Sequence, residues 1–111
     1  MDAIDYLNQL VYVEIDRPVG SMHPKRGFVY SFNYGFVPNV ISGDGEELDV
    51  YVFGVTEARK TFTGRCIAVI HRIDEDDDKL VVVPDGAKYT DDEIIKITYP
   101  QERFHRSIIL R

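Results

Sequence analysis

The chain has 111 residues, of which 44% are hydrophobic, so it can build one hydrophobic core and does not have a disordered composition. A single domain over residues 1–111 is therefore expected. The formal net charge of −6 disfavours a general nucleic-acid binder, because such proteins usually present a basic face. The single cysteine, Cys66, excludes an internal disulfide and favours a cytoplasmic location. No signal peptide is visible, and no apolar run approaches the roughly 18–20 residues of a membrane span, so no membrane association is expected.

The first half of the chain predicts a short helical turn and two strands. Residues 2–10 are expected to form this helical turn or, alternatively, a frayed start. The stretch VYVEI, residues 11–15, alternates apolar and polar side chains with a period of two, which predicts a strand. FVYSF, residues 28–32, is the second predicted strand. Gly35 and Pro38 in the following NYGFVPN predict a bend.

The second half predicts three further strands and a helix. The strands are LDVYVFGV (48–55), GRCIAVIHRI (64–73) and KLVVVP (79–84). Thr90 and Glu93 have the spacing of a capping box, which predicts that a helix begins at Asp91. Pro100 is expected to interrupt this helix or to begin a second helical piece, and residues 107–111 fit a strand or a helix end. Four to six strands separated by turn residues are typical of a small closed β-barrel, so the fold class is mainly β (α+β) with one or two short helices.

Two acidic loops carry the chemistry that the sequence suggests. They are SGDGEELD, residues 42–49, and DEDDDK, residues 74–79. Loops at one rim of a small barrel lie close enough to share cations, and carboxylate oxygens suit Mg²⁺, with Mn²⁺ as the alternative. Solvated surface charge is the competing interpretation. His71 is interpreted as a strand residue rather than a metal ligand. Basic and phenolic residues around such a cluster would complete a phosphate pocket, and the candidates are Lys25, Arg26, Tyr30, Tyr34, Lys79, Arg103 and Arg106.

The stretch YSFNYGFVPNVISGDGEELDVYV resembles the signature of the soluble family I inorganic pyrophosphatases. Eight of its residues match that signature in register: Tyr30, Asn33, Tyr34, Gly35, Pro38, Asp44, Gly45 and Asp49. GRCIAVIHRIDEDDDKLVVVP is similar to a second segment of that family, and VYVEI resembles its early strand with an active-site glutamate. The resemblance covers residues 11–84, about two thirds of the chain. It implies a five-stranded, OB-like barrel with flanking helices and hydrolysis of pyrophosphate to two phosphates with several Mg²⁺ ions.

The resemblance also implies roles for particular residues. Asp44, Asp49 and Asp77 would hold the main metals, with Asp49 bridging two, and Asp74 and Asp77 would hold the metals that arrive with substrate. The catalytic residues would be Glu46, as acceptor of the proton from the nucleophilic water, together with Asp49 and Tyr34. The substrate-binding candidates are Glu14, Lys25, Arg26, Tyr30, Lys79 and Arg106.

The chain departs from the family pattern at several positions. Glu46 stands in place of an aspartate, Glu47 follows in place of a proline, and Phe104 stands in place of a tyrosine. The segment between Glu14 and Tyr30 is much shorter than usual. A non-catalytic metal- and phosphate-binding relative is therefore the first alternative, and a small interaction domain with solvated acidic loops is the second. Barrels of this size often associate to bury apolar surface, so a homo-oligomer is an open alternative to a monomer.

Overall fold

The computed structural model describes residues 2–43 and 45–111, which form six strands, one α-helix and a short 3-10 helix. Val11 and Val13 on the first strand are buried while Tyr12 and Glu14 are exposed, as its period of two predicts. The elements in chain order are the 3-10 helix Ala3–Tyr6, β1 Leu10–Arg17, β2 Asn33–Ile41, β3 Glu47–Val52, β4 Thr61–Arg72, β5 Asp77–Val83, α1 Asp91–Glu102 and β6 Ser107–Leu110.

The first five strands close into a barrel. Their order is β1-β2-β3-β5-β4, and an antiparallel pairing of β1 with β4 closes the circle. Only β3 and β5 pair in parallel among these described strands. Besides β5, the long β4 pairs with two further strands, since Thr61–Arg65 pair with β1 and Val69–Arg72 pair with β6. The expected mainly β fold with a five-stranded closed barrel is thus confirmed.

Alternation along the strands produces two hydrophobic clusters, one inside the barrel and one on its outer face. The inner cluster is mainly aliphatic and includes Val13, Val50 and Leu80. The outer cluster is rich in aromatic residues, among them Tyr34 and Tyr51, and α1 packs against it. The outer face is therefore the place where polar strand residues can be buried without entering the barrel.

The prediction of a strand at residues 28–32 is wrong, and so is the prediction of a bend at Gly35 and Pro38. The described backbone at 28–32 forms only an isolated bridge between Val29 and Met22. Its alternating aromatic side chains instead pack on the outer cluster. Gly35 lies within β2 and makes no bend. A glycine is required there because a Cβ would stand 1.9 Å from the carbonyl oxygen of Glu14 on the neighbouring strand.

Pro38 is accommodated in β2 at an irregularity. The pairing of β2 with β3 shifts register between Val37 and Ile41. A proline has no N–H to contribute to a strand ladder, so it is tolerated at such a position.

The capping box predicted for the helix is present. The Thr90 hydroxyl accepts from the Glu93 N–H at 3.2 Å, and the Glu93 carboxylate accepts from the Thr90 N–H at 2.9 Å. Pro100 does not interrupt α1, which continues to Glu102 and is followed by a strand rather than a second helix. In the described part of the chain no helix is long and apolar enough to cross a membrane.

Candidate active site

The candidate site lies on the outer face of the barrel, where strand register brings residues from both acidic segments together. Asp49 of β3 is paired with Lys79 of β5, and Tyr34 of β2 is paired with Tyr51 on the same face. The end of α1 and the segment after β1 form the remaining walls of a pocket of about 310 Å³. Asp77 also lines this pocket.

The ammonium group of Lys79 joins two carboxylates at the floor of the pocket. Its Nζ donates to Asp49 Oδ2 at 2.7 Å and to Asp77 Oδ2 at 3.0 Å. The side chains of Lys79 and Asp77 are only 3% and 4% exposed, whereas that of Asp49 is 33% exposed. Ser42, from the first acidic loop, donates to Asp77 Oδ1 at 2.9 Å. The two acidic loops predicted to converge therefore meet at Asp77.

The charge of Asp77 is stabilised despite its burial. Burial alone would raise the pKa of the Asp77 carboxyl, but Lys79, the Ser42 hydroxyl and Arg72 outweigh it and lower the pKa below its ordinary value. At Tyr34 burial prevails and raises the pKa of that phenol well above its ordinary value. Tyr34 is therefore a neutral hydrogen-bond donor at the pocket wall.

Arg72 adds a buried cation that sequence reasoning missed. It lies opposite Asp77 in the β4–β5 hairpin and lines the pocket. Its guanidinium donates to both carboxylate oxygens of Glu102, at 2.9 and 2.7 Å, and lies 3.7 Å from Asp77 Oδ2. Tyr51 donates a hydrogen bond to the same Glu102 carboxylate. The end of α1 thus fixes the orientation of a cation on the barrel face.

Further hydrogen bonds, which continue this network through Tyr51, orient Arg17 at the pocket wall. The Arg17 guanidinium donates to the Tyr30 hydroxyl at 2.9 Å, and that hydroxyl donates to Gln101 Oε1 at 2.6 Å. Gln101 Nε2 in turn donates to the Tyr51 hydroxyl at 2.9 Å. Tyr30, predicted to bind substrate, is itself 1% exposed, so it supports Arg17 instead of lining the pocket.

The basic pair at the pocket mouth comes from a turn that His23 organises. His23 Nδ1 accepts from the backbone N–H groups of Lys25 and Arg26 at 3.1 and 3.0 Å. Burial and the nearby Arg17, Arg26 and Lys25 lower the pKa of His23, which keeps this nitrogen available as an acceptor. The Arg26 guanidinium lies 3.8 Å from the centre of the Phe104 ring. Lys25 and Arg26, both predicted, therefore do line the pocket.

Several predicted residues lie elsewhere, and the pocket contains others that were not predicted. Glu14, Glu46, Asp74 and Arg106 are exposed and lie outside the pocket lining. Asp44 lies outside the described residues. His71 is a strand residue as predicted, and its Nδ1 lies 2.6 Å from Asp78 Oδ1. The functional candidates missed from the sequence are Arg17, His23, Arg72, Glu75, Gln101 and Glu102. Only Arg72 left a signal, since a short hairpin at residues 73–76 would place it opposite Asp77.

The described pocket lining carries more positive than negative formal charge. Five lysine and arginine side chains face three carboxylates, so the lining has two excess positive charges before any metal binds. The cations are Arg17, Lys25, Arg26, Arg72 and Lys79, and the carboxylates are Asp49, Glu75 and Asp77. A pocket of this kind favours a small ligand with several negative charges.

The family profile for inorganic pyrophosphatase matches residues 8–109, nearly the whole chain. The chain belongs to the inorganic pyrophosphatase family. This match extends beyond both ends of the sequence resemblance at 11–84. The inorganic pyrophosphatase of Ralstonia nicotianae is 35% identical over 82 residues, which cover 67% of this chain and 47% of that protein. The chain spans about half the length of the curated pyrophosphatases it matches.

Solved structures of the family share the fold. An inorganic pyrophosphatase from Coxiella burnetii superposes with a TM-score of 0.63 at 18% identity, covering 93% of this chain and 84% of that one. One from Neisseria gonorrhoeae gives a TM-score of 0.60 at 26% identity, covering 87% of this chain and 73% of that one. The OB-like barrel expected from the sequence is therefore the fold observed in these pyrophosphatases.

Proposed function

We propose that this chain hydrolyses inorganic pyrophosphate to two phosphates in a reaction that requires Mg²⁺, with Mn²⁺ as an alternative ion. The observation that carries the proposal is the convergence of Asp49, Asp77, Lys79 and Tyr34 in one pocket with excess positive charge. Pyrophosphate is a small, multiply charged anion, and membership of the pyrophosphatase family gives the proposal its reaction. We further propose that the chain acts as a single domain.

The residues present fit a hard divalent cation. Asp49 and Asp77 already place oxygens within 2.7 and 3.0 Å of one cationic group, the Lys79 ammonium, so their side chains converge on positive charge. Carboxylate oxygens are the ligands that Mg²⁺ prefers. Asp49 and Asp77, with Asp44 and Asp74 by family resemblance, would hold the ions. Bound Mg²⁺ would lower the pKa of water and neutralise charge on the phosphates.

The chain's own cations would bind and orient the substrate. Arg17 and Arg72 are held by hydrogen bonds to Tyr30 and Glu102, so they lose little side-chain freedom when an anion binds. Lys25 and Arg26 would close the mouth over the outer phosphate. The Tyr34 hydroxyl, which remains protonated, would donate to a phosphate oxygen. Preorganised donors of this kind stabilise charge that develops on the leaving phosphate.

A second candidate function is binding of metal and phosphate without turnover. The observation that favours it is the placement of Glu46, which is exposed and outside the pocket lining. Under the first proposal Glu46 accepts a proton from the attacking water, and Glu14 and Arg106 support the phosphates from outside the lining. Misplacement of a catalytic group by about 1 Å can cost a hundredfold in rate, so the position of Glu46 decides between binding and catalysis.

The two functions are separated by measuring turnover and binding on the same protein. We expect Mg²⁺-dependent phosphate release from pyrophosphate, and we expect Glu46→Gln to slow it at least about a hundredfold, because an amide cannot accept the proton. Glu47→Gln is the matched control, since Glu47 is also exposed and directly adjacent. Calorimetric binding of pyrophosphate without phosphate release in the parent protein would overturn the first function in favour of the second.

A further inference from the structure

One side of α1 exposes large apolar side chains that the barrel does not cover. Ile95 and Tyr99 are 53% and 58% exposed, and Ile108 on β6 is 46% exposed. Ile95 and Tyr99 are four residues apart, so they lie on the same face of the helix. None of the three lines the candidate pocket, so the proposed substrate does not cover them. Exposed apolar residues that cluster in this way are typical of an interaction surface, whereas single ones are common.

A groove separates the helix from β6 beside these residues. Its volume is about 240 Å³, and its lining includes Ile95 of α1, Ile108 of β6 and Ile70 of β4. A cavity of about 150 Å³ holds a benzene ring, so the groove has room for one aromatic side chain. In the described part of the chain no aromatic residue lines it. A ring that fills the groove would therefore come from another molecule.

Opposite charges lie at the two ends of the same side of α1. Steps of three or four residues place four exposed residues on this side, called here the α1 face: Asp92, Ile95, Tyr99 and Arg103. Asp92 lies in the first turn of the helix and Arg103 directly follows its last residue. Among the described residues neither has an ion-pair partner, and the Arg103 guanidinium lies 4.9 Å from the centre of the Phe104 ring. The α1 face is thus acidic at one end, apolar in the middle and basic at the other end.

We propose that the α1 face binds the α1 face of a second copy of this chain, with the two helices antiparallel about a twofold axis. This packing places Asp92 of each copy near Arg103 of the other, because each helix begins where the other ends. It also places Tyr99 of each copy beside Ile95 of the other, at the groove that lacks an aromatic ring. Both pairings belong to one register, since each is centred on residues 97–98.

The edge of β6 is a less favourable surface for self-association. β6 pairs only with β4 among the described strands, so its outer edge is free. Two β6 strands paired antiparallel about their centres would place Arg106 of one copy opposite Arg111 of the other, and like charges in that position destabilise a strand pair. In the α1 packing, two attractive pairs stand against one repulsion, between the two copies of the exposed Lys96 near the axis. The charges therefore favour the α1 face.

The test is analytical ultracentrifugation of the full chain over a range of concentrations, with Tyr12→Ala as the matched control. Tyr12 is 49% exposed, close to the 58% of Tyr99, but it lies on β1. We expect the parent protein to form a dimer. Tyr99→Ala should raise the dissociation constant of that dimer at least about tenfold, because buried interface tyrosines are frequent hot spots. Tyr12→Ala should leave the dissociation constant within about twofold of the parent value.

Reversal of the charges tests the register independently. Arg103→Glu and Asp92→Lys should each weaken the dimer at least about threefold, because each variant places like charges together at both ends of the packing. The double variant exchanges the two charges and should return to within about twofold of the parent. Circular dichroism shows that each variant keeps the parent secondary structure.

Three results would overturn the proposal. The first is a parent protein that stays monomeric up to about 1 mM. The second is a dimer that Tyr99→Ala leaves unchanged, which is the result that pairing through the β6 edge would give. The third is additive weakening in the double charge variant, which would exclude the antiparallel register. The inference does not rest on hydrolysis, and phosphate release measured on the same samples reports separately on the proposed function.

Discussion

At the residue scale, Lys79 places a positive charge between the carboxylates of Asp49 and Asp77. This charge offsets the repulsion between the two carboxylates. The family resemblance assigns these carboxylates to metal ions, whereas the structure shows them hydrogen-bonded to an ammonium group. The two arrangements are compatible at Asp49, whose side chain is 33% exposed and whose second oxygen does not contact Lys79. At Asp77 the second oxygen already accepts a hydrogen bond from Ser42. The lysine would then supply the charge that keeps the site folded when metal is absent.

Replacing Lys79 by methionine should destabilise the metal-free protein strongly. The substitution removes the cation and leaves the Asp77 carboxylate buried beside Asp49 without it. Breaking a buried ion pair in this way costs about 3–5 kcal/mol, so we expect a loss of about 3 kcal/mol in the free energy of unfolding. Urea denaturation in the presence of EDTA measures it. Lys88→Ala, at an exposed lysine, is the control, and equal losses in both variants would contradict the role of Lys79.

The lowered pKa of Asp77 predicts how stability depends on acidity in metal-free protein. Its folded-state pKa lies below the ordinary value of 3.8, so its contribution is present above that value and is lost as the pH falls through the folded-state pKa. We expect the parent protein to lose more unfolding free energy than Asp77→Asn as the pH falls from about 5 to about 2. Parallel stability curves for the two proteins would show that Asp77 is not stabilised as an anion.

At the scale of the elements, patterns within one segment were predictable from sequence, whereas of the contacts between distant segments only the meeting of the two acidic loops was predicted. The alternation of residues 11–15 and the capping box at Thr90 are local, and both are confirmed. The aromatic residues at 28–32 alternate in the same way, but this segment is not a strand. Its aromatic side chains are buried by packing on the outer cluster. The link between Arg72 and Glu102 spans 30 residues and leaves no local signal.

The close approach of β1 and β2 predicts a large effect for one small substitution. A Cβ at position 35 would meet the Glu14 carbonyl oxygen at 1.9 Å, and backbone on both strands would have to move to avoid the overlap. Gly35→Ala should therefore destabilise the fold by several kcal/mol, on the order of the largest single-residue effects. Thermal unfolding measures it. Thr63→Ala, at an exposed position of β4, should have little effect, and a similar melting temperature for Gly35→Ala and the parent would contradict this geometry.

At the scale of the whole molecule, the closed barrel brings residues from distant parts of the chain together in one pocket. The chain spans about half of its curated relatives, yet the family profile covers residues 8–109 and the pocket retains excess positive charge. Asp49, Asp77 and Lys79 could be located from the sequence because they belong to two segments that resemble the family, and Lys25 and Arg26 because they form a basic pair. The positions of Arg17 and of the end of α1 became visible only once the barrel had closed.

Binding of Mg²⁺ should stabilise the whole fold under the proposed function. A ligand that binds only the folded state at ten times its Kd adds about 1.4 kcal/mol to the free energy of unfolding. We therefore expect the melting temperature to rise with Mg²⁺ in the parent protein and to rise much less in Asp49→Asn. Asp76→Asn, at an exposed residue of the second acidic loop, is the control and should respond as the parent does. An identical Mg²⁺ response in all three proteins would contradict a metal site at Asp49.

Phosphorus NMR of pyrophosphate mixed with the purified chain, followed over time with excess Mg²⁺ and with EDTA, tests the proposed hydrolysis. We expect the pyrophosphate signal to be replaced by that of inorganic phosphate only when Mg²⁺ is present. We expect Asp49→Asn to slow this conversion at least about a hundredfold. An unchanged pyrophosphate signal with the parent protein and Mg²⁺ would rule out the proposed hydrolysis, and conversion by Asp49→Asn at the parent rate would rule out the role of Asp49.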